Sequence, residues 1–381
     1  MSNAAAPGPS ARIDLAAIRH SVGVLAERAP GAALMAVVKA DGYGHGMAQA
    51  TGAALAAGAT WLGVATAAEA LEVRAAGFTT PLLAWLFTPG TAYAALLAAG
   101  VDIGVSSRTQ LAEVAAAARE TGLPARVHVK LDTGLFRNGV TAEDLPEFLA
   151  ALGPLVAERA VELVGVMSHL AFADAPGHPT IDVQRDAFLA GVGSFERAGL
   201  PPQLRHLANS AATLLRPDLH FDLVRPGLAV YGLTPVPQVG GFGLRPAMTL
   251  RSPLAHVKSA PAGVGVSYGH TYTTPAPTTL ALVPLGYGDG VPRSAGNCAP
   301  VAVAGRRFRI AGRVCMDQFV LDVGTEVGAG LQAGDEAVLF GPGDDGEPTA
   351  QEWADLLDTI SYEIVTRVGA RVPREYLGES A

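Results

Sequence analysis

The stretch ALMAVVKADGYGHG, residues 33–46, joins an apolar run to a single lysine and a glycine-rich turn. An apolar run that ends at glycines predicts a buried strand leading into a loop. Lys39 stands at the end of this predicted strand, with apolar residues behind it and an open loop ahead. Such surroundings lower the pKa of an amine and suit it to Schiff-base chemistry. The ordinary alternative is a lysine whose charged end reaches solvent from a strand end.

Similar apolar runs recur along residues 33–233, where they alternate with alanine-rich stretches of helical periodicity such as 67–76, 109–121 and 182–198. Eight strand-then-helix units predict a (β/α)8 barrel, and a doubly wound sheet with fewer strands is the alternative. The predicted strands are Ala33–Val38, Trp61–Ala65, Pro81–Trp85, Val101–Val105, Arg126–Leu131, Val161–Met167, Gln203–Leu207 and Phe221–Tyr231.

The pattern changes after residue 245, where short strand-like segments follow one another closely between turn signals. This spacing predicts a mostly β second domain. We therefore divide the chain into a flexible tail, residues 1–11, a barrel domain, residues 12–245, and a mostly β domain, residues 246–381. The predicted strands of the last domain are Met248–Val257, Gly263–Ser267, Thr279–Pro284, Val301–Val303, Phe308–Ile310, Gln318–Val323 and Glu336–Phe340, with a helix at Gln351–Leu357.

Composition excludes several classes of protein. The chain has 381 residues, is 49% hydrophobic and carries a net charge of -8 without a basic run, so a nucleic-acid-binding face is not expected. Two cysteines without a Cys-x-x-Cys motif indicate reduced thiols and a cytoplasmic location. No signal peptide or membrane-spanning run is predicted. The histidines, including His45 and His178, lack metal-ligand spacing, and we assign no metal.

Polar residues gather at the predicted carboxyl ends of the barrel strands, which is where barrel enzymes carry their sites. Each of these side chains alone is more often structural, but together they favour an active site. They are Lys39 after the first strand, Lys130 and Asp132 at the fifth, His169 at the sixth, Asn209 and Ser210 after the seventh, and Arg225 in the eighth.

Motifs in order from about residue 12 to about residue 376 resemble those of the bacterial alanine racemases, which use pyridoxal 5'-phosphate (PLP). Departures from the family pattern are small and comprise Leu135, Phe136, Asn138 and Gly288. The motifs are KADGYGHG at 39–46, KLDTG at 130–134 with Arg137 and Gly139, His169 with Asp174, HLANSA at 206–211, VRPGLAVYG at 224–232, VSYG at 266–269, GYGDG at 286–290, GRVCMDQ at 312–318 and TISYE at 359–363.

The resemblance implies a catalytic role for four residues. Lys39 would hold PLP as an aldimine and, once released, act as a base on one face of the substrate. Tyr268 would be the base on the other face, supported by a polar chain of His169 and Arg225. Arg225 would face the pyridine nitrogen of PLP. Because arginine can only donate, that nitrogen should stay unprotonated, which suits a racemase better than a decarboxylase.

The resemblance also implies binding roles. Arg137 and the backbone N–H of Met316 would hold the substrate carboxylate. Lys130 resembles a position that is carbamylated in some relatives, and a free lysine paired with Asp132 is the alternative. Donors with little bulk would bind the cofactor and its phosphate. The cofactor-binding set is Lys39, Tyr43, His169, Asn209, Ser210, Arg225, Gly227, Leu228 and Tyr362.

The implied activity is the interconversion of L- and D-alanine by two bases acting on a PLP external aldimine, which supplies D-alanine for peptidoglycan. A homodimer is expected, with Tyr268 serving the site of the partner. Three alternatives stay open: a racemase of another small amino acid such as serine, a barrel decarboxylase, and a non-enzymatic PLP-binding protein. Arg225 argues against the decarboxylase. The β domain with Tyr268 argues against the binding protein.

Overall fold

The computed structural model describes residues 8–378, which form two compact units. One unit contains residues 19–42 and 50–244 and is called the barrel unit below. The other contains the residues up to 18, residues 43–49 and those from 245 onward, and is called the β unit. The first strand, β1 (Ser10–Asp14), lies in the β unit.

The barrel unit contains eight parallel strands: the first seven pair with one another in chain order, and the eighth pairs with the first, so that the seventh and eighth strands are the edges of the sheet. Backbone hydrogen bonds from Asp222 N–H to Arg205 O and from Arg225 N–H to Ala208 O bring the two free edges together. The predicted (β/α)8 barrel is therefore confirmed. Its strands are β2 (Ala33–Val37), β3 (Trp61–Val64), β4 (Leu82–Ala84), β5 (Asp102–Val105), β6 (Ala125–Lys130), β7 (Val161–Met167), β8 (Leu204–His206) and β9 (Leu223–Val224).

Seven of the eight predicted barrel strands differ from the observed ones by at most two residues at either end. The eighth was predicted too long: only Leu223–Val224 is a strand, and Leu228–Tyr231 forms a 3-10 turn. Pro226 lacks the N–H that a continued ladder requires, which explains the early end.

The barrel interior is packed with side chains. Met35, Leu83, Met167 and Leu223 form its buried apolar cluster, with indole rings packed against them. Glycines make room for those rings: a Cβ at Gly63 would lie 2.8 Å from Trp85.

Helices follow most of the barrel strands. Their ends carry the expected local signals, such as the capping box of Thr66 and Glu69 and the left-handed Gly122 after Thr121. The helices are Leu15–Arg28, Met47–Ala56, Ala67–Ala75, Tyr93–Ala98, Arg108–Thr121, Leu145–Ala157, Thr180–Arg197 and Ser210–Leu215, with a 3-10 turn at Pro217–Leu219. Along residues 8–378, no helix combines the length and the apolar character needed to cross a membrane.

The β unit is built mainly from strands, as predicted. A six-stranded sheet has the order β16-β15-β18-β10-β1-β19, a second sheet has the order β11-β14-β17, and β12 pairs with β13. The strands are β10 (Met248–Pro253), β11 (His256–Ala260), β12 (Gly265–Val266), β13 (Tyr272–Thr273), β14 (Thr278–Val283), β15 (Pro300–Val303), β16 (Arg306–Arg309), β17 (Phe319–Asp322), β18 (Glu336–Phe340) and β19 (Arg374–Leu377). Its helices are Gly324–Gly328, Ala350–Leu356 and Ser361–Thr366, with 3-10 turns at Tyr268–His270 and Arg293–Ala295.

Two predictions for the chain outside the barrel are corrected. The segment Met248–Val257 was predicted as one strand, but it breaks after Pro253 into β10 and β11, which lie in different sheets. Residues 1–11 were predicted as a flexible tail. Residues 1–7 lie outside the described residues, whereas Ser10 and Ala11 are fully buried in β1, between β10 and β19. Pairing on both sides makes this short strand part of the sheet, although its own sequence is barely apolar.

Candidate active site

The polar residues predicted at the strand ends lie at the carboxyl ends of the barrel strands. Lys130 is the last residue of β6, and Lys39, His169 and Arg225 follow β2, β7 and β9 within two residues. Their charges act on one another, since Arg225, Lys130 and Lys39 all lower the pKa of His169. The barrel therefore brings these four side chains into one electropositive site.

Lys39 has an amine that loses its proton more readily than an ordinary lysine. Burial is the largest cause that lowers its pKa, and the nearby charge of Arg137 lowers it further. The carboxylate of Glu69 acts in the opposite direction. A larger neutral fraction makes Lys39 a better nucleophile and base at neutral pH.

The backbone that follows Lys39 forms a single left-handed turn, Lys39–Tyr43. Residues 40–43 all have φ between 52° and 59°. The left-handed conformation costs non-glycine residues about 1–2 kcal/mol each, so the surroundings must hold it in place. Glu69 does so in the barrel unit, where its carboxylate accepts hydrogen bonds from the N–H groups of Ala40 (2.7 Å), Ala65 and Thr66 (both 2.9 Å).

Arg225 is 8% exposed and is held by neutral acceptors. Nη2 donates to the carbonyl oxygens of Ser168 (2.7 Å) and Leu207 (3.3 Å), and Nη1 donates to Nδ1 of His206 (3.2 Å). Burial without a carboxylate beside it lowers the pKa of Arg225 to about 10, which still leaves it charged at neutral pH. The site thus presents a fixed cationic donor.

His169 is neutral in this environment. Burial, followed by the charge of Arg225, lowers its pKa to about 3. Its Nδ1 lies 3.5 Å from Nη2 of Arg225 and can accept from it. Gln184, which is fully buried, donates to the carbonyl oxygen of His169 over 3.1 Å and accepts from the N–H of Ala171 over 2.8 Å, so the loop that carries His169 is fixed.

Lys130 and Arg137 belong to the loop region after β6. Burial is again the largest cause that lowers the pKa of Lys130, to about 8. Its amine donates to Oδ1 of Asn138, and the charge of Asp132 raises its pKa against the effect of burial. Asp132 accepts hydrogen bonds from the N–H groups of Gly134 and Phe136, which shapes the loop. Arg137 is exposed in this loop.

Ser210 and the backbone after Arg225 form a compact hydrogen-bonded group. The Ser210 hydroxyl accepts from the N–H of Gly227 (2.9 Å) and from the N–H of Ala229 (3.3 Å), and Ser210 is 3% exposed. Asn209 caps the following helix, because its Oδ1 accepts from the N–H of Ala212 over 3.1 Å. The observed contact of Asn209 is therefore structural.

The remaining predicted residues lie in the β unit. Tyr43 is buried and Tyr362 half-buried, with ring centroids 6.1 Å apart, and burial raises the pKa of Tyr43 well above its ordinary value. Tyr268 is 71% exposed in a 3-10 turn. Gly312 supports that turn, since a Cβ there would lie 2.6 Å from the carbonyl oxygen of Val266.

Met316 is exposed on a loop that packs against the glycine motif at 286–290. The N–H of Gly288 donates to the carbonyl oxygen of Met316 over 2.8 Å, and the N–H of Tyr287 donates to that of Cys315 over 3.0 Å. A Cβ at Gly286 would lie 2.3 Å from both carbonyl oxygens. This close backbone approach explains why the motif is rich in glycine.

Several residues that shape the site were not predicted from the sequence. Glu69 could have been found as the third residue of a capping box. Asn138 and Gln184 carry no sequence signal of their own. Asp102 and His128 interrupt apolar strands, which is a sequence signal of buried polar side chains.

The fold and the site define a (β/α)8-barrel enzyme with a lysine of lowered pKa and a buried arginine at the carboxyl ends of its strands. Comparison with known proteins specifies it further. The model of the alanine racemase N-terminal domain matches residues 13–235, and that of the alanine racemase C-terminal domain matches residues 247–376. The chain therefore belongs to the alanine racemase family.

Individual proteins similar to this chain are also alanine racemases. An alanine racemase of Frankia casuarinae is 60% identical over 368 residues, covering 96% of this chain and 95% of the relative, and that of Thermobifida fusca is 57% identical, covering 97% and 98%. The crystal structure of the alanine racemase from the D-cycloserine-producing Streptomyces lavendulae superimposes with a TM-score of 0.95 at 53% identity, covering 98% of both chains.

Proposed function

We propose that this protein is a PLP-dependent racemase that interconverts L-alanine and D-alanine. The observation that carries the proposal is Arg225, a buried cation with neutral acceptors only, at the same end of the barrel as Lys39. A donor that cannot accept a proton suits a pyridine nitrogen that must stay unprotonated. A decarboxylase of this fold would instead carry an acid there.

The residues present fit PLP. Lys39 has a lowered pKa, as attachment of an aldehyde requires, and Arg225 offers N–H groups to a ring nitrogen. Ser210 with the N–H groups of Gly227 and Leu228 forms a small donor group for a phosphate, to which we add Tyr43 and Tyr362. His169 and Asn209 complete the proposed cofactor-binding set. When bound, PLP withdraws electrons from the α-carbon of the substrate and makes its proton removable.

Racemisation requires that a proton leave one face of the α-carbon and return to the other. We assign one face to the amine of Lys39, whose lowered pKa makes it a competent base. We assign the other face to the phenol of Tyr268. The exposure of Tyr268 in the β unit supports a role for it at a site outside its own chain.

The substrate carboxylate calls for cationic and N–H donors. We assign to it the exposed Arg137 and the backbone N–H of Met316. Tyr268 completes the substrate-binding set. Lys130 is the position proposed for carbamylation, since a pKa of about 8 leaves a fraction of its amine neutral and able to react with carbon dioxide.

The proposal also covers the oligomeric state, the roles of the two domains and the cellular location. The protein acts as a homodimer in which Tyr268 of the partner subunit serves the site of Lys39. The barrel domain, residues 12–245, carries most of the cofactor-binding residues, and the mostly β domain, residues 246–381, supplies Tyr362 and the second base. The product, D-alanine, is used for peptidoglycan, and the enzyme works in the cytoplasm.

A racemisation assay tests this proposal. Purified protein with PLP is incubated with a panel of L-amino acids, and the optical rotation of each is followed. We expect alanine to lose its rotation fastest. A faster loss of rotation with serine would make serine the preferred substrate in place of alanine. No loss of rotation with any amino acid would overturn the proposal. The Lys39→Ala variant is the control for background reaction.

A further inference from the structure

The barrel interior behind Arg225 contains a chain of buried polar side chains. Asp102 on β5, His128 on β6 and His206 on β8 are each at most 2% exposed. Oδ2 of Asp102 lies 3.2 Å from Nε2 of His128, and Nδ1 of His128 lies 2.8 Å from Nε2 of His206. Nδ1 of His206 lies 3.2 Å from Nη1 of Arg225. The chain thus runs without interruption from a carboxylate to the arginine of the site.

The positions of the hydrogen atoms along these hydrogen bonds follow from the guanidinium group of Arg225. Arginine can only donate, so Nδ1 of His206 accepts and its proton is on Nε2. That proton is donated to Nδ1 of His128, whose own proton is then on Nε2 and is donated to Asp102. Burial lowers the pKa of both histidines, so both rings are neutral at pH 7. With neutral rings, only this arrangement satisfies all three hydrogen bonds.

The chain of hydrogen bonds also connects Arg225 to a negative charge. Among residues 8–378, no direct ion pair includes Arg225, and a buried cation without an anion is costly. The far end of the chain is Asp102, which Arg126 fixes with two hydrogen bonds of 2.9 and 3.2 Å. Two polarised imidazole rings therefore connect the charge of Arg225 to the charge of Asp102.

Gly165 on β7 leaves the space in which the two rings meet. A Cβ at this position would lie 2.4 Å from Nδ1 of His128 and 3.1 Å from Nε2 of His206. The missing side chain is thus located at the hydrogen bond between the two histidines. His128 and Trp61 pack with their rings nearly perpendicular and their centroids 5.5 Å apart.

We propose that Asp102 is the remote counter-ion of Arg225 and that Asp102 and His128 are positioning residues, which act through His206 to hold Arg225 as a fixed donor. This inference rests on the proposed function, in which Arg225 faces the pyridine nitrogen of PLP. The chain of hydrogen bonds fixes the position of Arg225. It also fixes where the protons lie, because His128 and His206 each have only one tautomer that satisfies it.

The tautomers are measured directly by nitrogen NMR of the histidine rings. The full-length protein is labelled with 15N-histidine, and the signals are assigned with His128→Gln and His206→Gln variants. We expect both rings to be neutral, with the proton on Nε2. A proton on Nδ1 of either ring, or a charged ring at pH 7, overturns the proposal. This result does not depend on activity, so it stands even if the proposed function fails.

A matched pair of variants tests the action on Arg225. Asp102→Asn and Glu162→Gln each remove one carboxylate partner of Arg126, but only Asp102 is bonded to His128. We expect Asp102→Asn to shift the ring nitrogen signals of His206 and to weaken the affinity for PLP at least about tenfold, the effect of one lost hydrogen bond to a charged group. Glu162→Gln should leave the His206 signals in place and should change the affinity for PLP by less than about twofold. Equal effects in the two variants contradict the proposal.

A second pair of variants fills space inside the barrel and removes no polar group. Gly165→Ala places a methyl group between the two rings, whereas Gly63→Ala crowds Met35 and Trp85 elsewhere in the same barrel. We expect the His206 signals and the affinity for PLP to change only in the first variant. If Gly165→Ala fails to fold, the tautomers of the unaltered protein and the Asp102→Asn variant decide the question.

Discussion

The carboxylate of Glu69 accepts a hydrogen bond of 2.7 Å from the backbone N–H of Ala40, the residue next to Lys39. The same carboxylate also binds the N–H groups of Ala65 and Thr66, so one side chain ties the left-handed turn to the start of the neighbouring helix. Its negative charge raises the pKa of Lys39 against the effect of burial. Glu69 thus holds the turn that follows Lys39 and raises the basicity of the lysine.

Replacing Glu69 should therefore have two effects. Glu69→Ala leaves three backbone donors without their acceptor and should lower the free energy of unfolding by about 2–3 kcal/mol, measured by urea denaturation. Loss of the carboxylate should also lower the pKa of Lys39 further, which is measured from the pH dependence of its reaction with an aldehyde. Glu72→Ala removes an exposed glutamate of the same helix and is the control. A raised pKa of Lys39 in Glu69→Ala would contradict this account.

The buried histidines should make the barrel unit sensitive to acid. The pKa values of His128, His169 and His206 are all lowered by burial, that of His169 to about 3. In the unfolded chain they take up protons near pH 6.5, so stability is at its full value above that pH and falls as the pH drops toward 3. Each histidine contributes a loss of up to about 1.4 kcal/mol per pH unit.

This sensitivity is measured by urea denaturation between pH 5 and pH 8. His169→Gln should reduce the slope of stability against pH by about one proton. An unchanged slope in His169→Gln would show that His169 binds its proton equally in the folded and the unfolded protein, which contradicts this account.

The phenol of Tyr268 should be needed on one face of the substrate only. Tyr268→Phe should lower the rate of racemisation at least about a hundredfold while PLP stays bound, because a general base is lost. Exchange of the α-proton with solvent deuterium should fall more for L-alanine than for D-alanine. Tyr272→Phe, which removes a hydroxyl bonded to Asp322, is the matched control. Equal residual exchange from both enantiomers would remove the one-face role of Tyr268.

The proposed sharing of sites in the dimer predicts complementation. Lys39→Ala and Tyr268→Phe chains should each be inactive, but a mixed dimer has one site with both bases and one site with neither. With random assortment about half of the dimers are mixed, so roughly a quarter of the original activity should return by the symmetry of a two-fold dimer. Chain exchange is verified by mass spectrometry. If exchange occurs and no activity returns, both bases belong to one chain.

The barrel could be predicted from the sequence because most of its strands lie in apolar runs, and their carboxyl ends placed Lys39, Lys130, His169 and Arg225 in advance. The sequence misled where long-range pairing decides the structure. β1 is a strand because β10 and β19 flank it, and Pro226 ends the eighth strand earlier than its apolar residues suggest.

The partners of the site residues were harder to predict. Gln184 acts on a loop that is distant in sequence, and the chain from Asp102 to Arg225 depends on which side chains point into the barrel. The left-handed turn after Lys39 was predicted only as a glycine-rich loop, although Ala40, Asp41 and Tyr43 adopt the same conformation as Gly42. Local preference alone disfavours such a turn, and only its surroundings specify it.

The most direct test of the central claim, that Lys39 is the lysine that binds PLP, is the position of a trapped adduct. The chain has three lysines: Lys39, Lys130 and the exposed Lys258. The protein with PLP is reduced with borohydride and digested, and the modified peptide is identified by mass spectrometry. We expect the adduct on the peptide that contains Lys39 and its absence in Lys39→Ala. An adduct on Lys130 or Lys258 in the unaltered protein, or none at all, would contradict the account.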